Sequence, residues 1–110
     1  MMQKIALLIP LFTSSSALAG ECKMTVTRVA CPGHEETCYS KCAGKPSCDE
    51  VKKTGSAESC QREAVKNCHV FRPGETKSKK VSATFEGKPL EGGKNFCEPE
   101  KPEYQWNSCK

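Results

Sequence analysis

The sequence predicts a small disulfide-rich α+β domain: a two- or three-stranded antiparallel sheet with one or two short helices held on it by about four disulfides. Three observations lead there. Nine cysteines fall after residue 20 in a chain of 110 residues, a density that reads as a disulfide framework when the chain is exported. Large apolar residues are scarce, so burial alone is a weak driving force. Two stretches alternate apolar and polar residues with period two, whereas one long stretch repeats every three to four.

Export is read from the first residues. Lys4 supplies a positive start, Ile5 to Phe12 form a short apolar run, and Ala17 and Ala19 make an A-x-A cleavage pattern. The apolar run is far shorter than the roughly 20 residues a membrane helix needs, and no later stretch approaches that length. Residues 1–19 are therefore expected to be a signal peptide, with residues 20–110 a single domain beginning at Gly20. A lipoprotein site would need a cysteine directly after Gly20, but Glu21 separates Gly20 from Cys22. The expected location is periplasmic or secreted.

Removing 19 of 110 residues leaves 91, among them six valines, three phenylalanines and the single leucine Leu90. Ten such residues in 91 lie below the roughly 20 % at which a chain tends to disorder. Ordering costs about 1–2 kcal/mol per residue. Disulfides, each typically worth about 2–4 kcal/mol, are the expected compensation. The eight expected to pair are Cys22, Cys31, Cys42, Cys48, Cys60, Cys68, Cys97 and Cys109.

"CKMTVTRVAC" alternates Met24 and Val26 with Thr25 and Thr27, a half-buried strand bounded by cysteines. After the Pro32-Gly33 turn, "EETCYSKCAG" can wind two to three helical turns, stopped by Gly44 and Pro46. "KPSCDEVKKTGS" reads as a polar connection. Ser56 is the expected N-cap of the main helix, whose Ala57, Cys60, Ala64 and Cys68 share one face. "VSATFEG" is a second strand with Val81, Ala83 and Phe85 on one side, and "GKPLEGGKNFC" holds turns and a short third strand. Tyr104 and Trp106, near Cys109, are expected in the core.

Geometry limits the pairing. Cys60 and Cys68 are eight residues apart, about 12 Å along a helix, beyond the roughly 4.4–6.8 Å a disulfide spans. Each must reach outside the helix; the connectivity stays open. Cys38 is the expected odd cysteine. It shares a short helical face with Cys42, which sits where the chain can bend to meet Cys48 or the main helix. An exposed Cys38 would allow a disulfide-linked homodimer.

The sequence contains no C-x-x-C pair, and Asp49 is its only aspartate. No serine, histidine and acid recur in a nucleophile setting, so no catalytic constellation, metal site or cofactor is assigned. Lys77, Lys79, Lys80, Lys88 and Lys94, with Phe85 and Phe96 interleaved, form a candidate contact for an anionic surface; the competing reading is that lysines guard a strand edge.

The stretches "CKMTVTRVACPG" and "KVSATFEGKPLEGGKNFC" resemble small exported cysteine-rich proteins of Gram-negative bacteria. The resemblance implies export and no particular activity. The expected function is a non-catalytic binding module for a protein or an anionic surface polymer. The alternative is a thiol- or metal-handling protein using Cys38, Cys42, His34 and His69.

Overall fold

A computed structural model describes residues 20–97 and Cys109. The expected signal peptide, Tyr104 and Trp106 lie outside the described residues. The chain order is β1 (Gly20–Ala30), α1 (Glu35–Cys38), a 3-10 turn (Ser40–Cys42), β2 (Ser47–Thr54), α2 (Ala57–Cys68), β3 (Thr76–Phe85), β4 (Lys88–Pro89) and a tight turn over Leu90–Gly93. The sheet is antiparallel and four-stranded, ordered β2-β1-β3-β4. The fold is a small disulfide-rich α+β domain.

β1 is central because it has strict alternation over its full length. Cys22, Met24, Val26, Arg28 and Ala30 are buried, and the residues between them face outward. Its register sets Cys22 opposite Phe85, Met24 opposite Ala83 and Val26 opposite Val81. Those residues make one apolar face, and α2 covers it with Cys60, Ala64 and Cys68. The Ser56 hydroxyl accepts from the Ser59 amide at 3.1 Å and caps α2, satisfying an amide that the first turn leaves unpaired. Asn95 and Phe96 close the far side of this core. The Phe96 amide donates to the Val81 carbonyl at 2.7 Å, and Asn95 Oδ1 accepts from the amides of Val81 and Cys97.

The segment read as a polar connection is a strand. β2 runs along the edge of the sheet, pairing with β1 from Gly20–Thr54 to Thr27–Ser47. An edge strand with only Val51 as a large aliphatic residue carries little period-two signal, and Lys52 and Lys53 suit an edge exposed to solvent. The first helix is shorter than its sequence suggests. It stops after one turn at Tyr39, continues as a 3-10 turn, and ends where Ala43 and Gly44 take left-handed conformations at φ 57° and 88°. Ser40 and Thr37 use their hydroxyls on the backbone carbonyls of Thr37 and His34, a local alternative to helix propagation.

Four disulfides hold the layers together. Cys22–Cys60 ties β1 to the first turn of α2, and Cys68–Cys97 ties its last turn to the segment after β4. Cys42–Cys48 joins the 3-10 turn to β2, and Cys31–Cys109 joins the end of β1 to the C-terminal region. Cys38 is unpaired and buried. Its burial withholds the thiol from a second chain, so the exposed Cys38 that a disulfide-linked dimer requires is not found. Among the described residues, no helix is long and apolar enough to cross a membrane.

Candidate functional site

The apolar face of the sheet turns polar at one end. Beyond Val26 the next inward residue of β1 is Arg28, and beyond Val81 the next inward residue of β3 is Lys79. The register sets Arg28 and Lys79 directly opposite each other, and their exposures are 7 % and 2 %. Like charges facing across a strand pair oppose each other, and burial strengthens the repulsion by removing solvent screening.

A register shift between Val29 and Ala30 explains which residues turn inward here. Val29 faces Ser78, whereas Ala30 faces Thr76, so one extra residue lies on β3. Lys77 occupies that extra position and is exposed, while Thr76 and Lys79 are buried. Lys79 is therefore removed from the expected anionic-surface set. It follows the inward phase of Val81 and Ala83 and cannot reach a surface polymer. Lys77, Lys80, Lys88 and Lys94 are exposed. Lys94 also lies 5.9 Å from the Phe96 ring centre.

Lys79 has a structural partner. Its Nζ donates to the carbonyls of Asn67 and Val70 at 2.5 and 2.6 Å, at the C-terminal end of α2. A cation there adds a second donor to the Asn67 carbonyl, which also accepts from the Val70 amide, and meets the negative end of the helix dipole. Loss of hydration, with repulsion from Arg28 behind it, lowers the Lys79 pKa to about 8.

Arg28 is less well supplied. One Nη donates to Cys42 Sγ at 3.2 Å, and the other lies 3.7 Å from Glu50, too far for a hydrogen bond. Glu50 is also engaged by Asn67 Nδ2 at 3.0 Å. A guanidinium offers five N–H donors, and a disulfide sulfur is a weak acceptor. Arg28 is thus a buried cation paired with Glu50 without a direct hydrogen bond between them, and it borders a cavity of about 240 Å³. Cys38 and Thr76 lie at the buried side of that cavity, with their side-chain S and O atoms 3.7 Å apart. Lys41, Phe71 and Arg72 stand on its exposed side. Arg72 approaches Glu75 at 4.0 Å.

The set proposed for metal or thiol handling is not brought together. Cys42 is committed to Cys48, His34 and His69 are exposed, and Cys38 has Thr76 as its hydrogen-bond partner. Among the described residues, no group of three or more His, Cys, Asp or Glu side chains is placed to hold a metal ion. No sequence motif marks Arg28, Lys41 or Arg72. The usable signal was the alternation itself: Arg28 falls in phase with Met24 and Val26, and a cation in phase with a core is a candidate site residue.

Comparison with known protein families, with curated proteins and with solved structures finds no match to this chain.

Proposed function

We propose that this protein is an exported, non-catalytic binding module that engages an anionic partner through the positively charged end of its sheet. The observation that carries the reading is the buried Arg28, opposite Lys79 and beside a cavity that also meets Lys41 and Arg72. Export is supported by the leader-like first residues and by four disulfides, which persist in oxidising compartments. A covalent frame suits binding because it limits the ordering cost on association. The thiol of Cys38, the one free nucleophilic sulfur among the described residues, is bonded to Thr76 rather than to a base, which favours binding over acyl transfer or redox exchange.

Retention on a sulfated-polysaccharide matrix tests the reading. The oxidised protein should bind at about 50 mM salt and elute well before 1 M, as screening shortens the reach of the charges. Flow-through at low salt, with the same behaviour on a neutral matrix, would overturn it.

A further inference from the structure

We infer that the cavity beside Arg28 is a site for a phosphate-type dianion, taken up as inorganic phosphate or as the terminal phosphomonoester of a larger molecule. The inference rests on the binding reading above and names its ligand.

The sheet register forces the first part of the argument. Arg28 and Lys79 face each other with nine-tenths or more of each residue buried. Burying a charge is costly unless an opposite charge and hydrogen bonds compensate. Lys79 has two carbonyls. Arg28 has a disulfide sulfur and a carboxylate at 3.7 Å. Arg28 also borders the cavity, where an anion would add a charge-assisted hydrogen bond to those the protein supplies.

Charge and donor geometry then select the class. Arg28, Lys41 and Arg72 line the cavity, and none of its lining residues is an acid; Glu50 and Glu75 approach Arg28 and Arg72 from outside the lining. Three cations on one small cavity favour a phosphate dianion over a singly charged carboxylate. Phosphate also offers three or more acceptor oxygens. Arg28 comes from the sheet, Lys41 from the 3-10 turn and Arg72 from the loop after α2, so the cations converge from three segments. Arginine forks are suited to phosphate oxygens. Size agrees: about 240 Å³ is below the roughly 300–1,000 Å³ of pockets for drug-sized ligands, so the site takes an anionic group rather than a whole large molecule. Phe71 on the exposed side leaves an apolar surface for whatever carries that group.

The test is an amide NMR titration of the oxidised protein at pH 7.5 and constant ionic strength, with inorganic phosphate, phenyl phosphate, sulfate and acetate as separate probes. Saturable shifts at the amides of residues 37–41 and 70–76 are expected for phosphate. Acetate should bind at least ~10-fold more weakly, since each lost charge-assisted hydrogen bond costs about that factor or more. Phenyl phosphate binding more tightly than phosphate identifies a monoester as the source; tighter inorganic phosphate identifies the free ion. Lys41→Gln and Arg72→Gln should each weaken phosphate by about fivefold or more, while Lys77→Gln and Lys80→Gln leave it unchanged. Arg28→Lys keeps the charge but removes the fork and should also weaken binding; if that variant misfolds, the two exposed variants decide. No saturable shift, acetate binding as tightly as phosphate, or insensitivity to both Lys41→Gln and Arg72→Gln would overturn the inference. Should polysaccharide retention persist in any of those cases, the binding reading stands without this site.

Discussion

Lys79 and Arg28 occupy equivalent positions on neighbouring strands but meet different surroundings. Lys79 reaches the open end of α2, whereas Arg28 reaches a disulfide and a distant carboxylate. The lowered Lys79 pKa has a consequence for stability. Between about pH 8, its folded value, and about 10.4, the ordinary value for lysine, the unfolded chain binds more protons than the folded one. The stability contribution of this residue therefore rises with pH across that window and is flat below it. Denaturant titrations at pH 7, 9 and 10 should show the difference between wild type and Lys79→Met growing with pH. A constant difference would mean that Lys79 titrates alike in both states. Cys38 gives a second residue-scale expectation. A thiol reagent should find one reactive group per chain after unfolding in denaturant without reductant, and very little before it. Cys38→Ser should fold with a loss within about 1 kcal/mol, because serine can keep the contact with Thr76; rapid labelling of the folded protein would show that the thiol is exposed.

The elements were unevenly legible in the sequence. β1 and α2 announce themselves because each has a buried face with a regular period: Met24 and Val26 in one, Ala57, Cys60, Ala64 and Cys68 in the other. β2 does not, because it lies at an edge and takes its order from pairing with β1 rather than from a buried face of its own. The polar end of the core was hidden for another reason. The extra residue on β3 shifts the inward phase at Lys77, so counting alternate positions back from Val81 gives Lys79 correctly and then Lys77 in place of Thr76. The cavity required three segments distant in sequence to meet, which no local pattern records. The disulfides also differ as elements of stability. In the chain-entropy account, closing the 78-residue separation of Cys31–Cys109 is worth roughly 4–5 kcal/mol, against roughly 2–3 for the 6-residue separation of Cys42–Cys48. The double variant Cys42→Ser/Cys48→Ser should accordingly remain folded with a reduced melting temperature. Cys22→Ser/Cys60→Ser should lose more, since both sulfurs sit at the centre of the core with no exposure. The reverse ranking would place the main staple at the 3-10 turn.

At the scale of the molecule, the sheet begins at Gly20, which is buried and pairs with Thr54. A side chain there would meet Phe85 and Glu86, with an added Cβ 2.5 Å from an atom of each. A cut after Ala19 would thus leave the first residue of β1 as the new terminus. Protein exported from cells should begin at Gly20, and its intact mass should show eight hydrogens lost to four disulfides and no lipid adduct. A mass carrying acyl chains on Cys22 would contradict the pairing of Cys22 with Cys60 and the reading of the leader together.

The covalent frame carries a core too small to stand alone. Of the large aliphatic and phenylalanine residues after residue 19, Val26, Val81 and Phe96 are buried between α2 and the sheet and Val65, Phe85 and Leu90 pack against them, whereas Val29, Val51, Val70 and Phe71 are exposed; Cys22, Cys60, Cys68 and Cys97 belong to the same small core. Thermal melting followed by circular dichroism, with and without full reduction, measures this directly. The oxidised protein should unfold in one cooperative transition, and the reduced protein should show no cooperative transition and a largely unfolded spectrum at 25 °C. A reduced chain that keeps its spectrum and melts cooperatively would contradict the account.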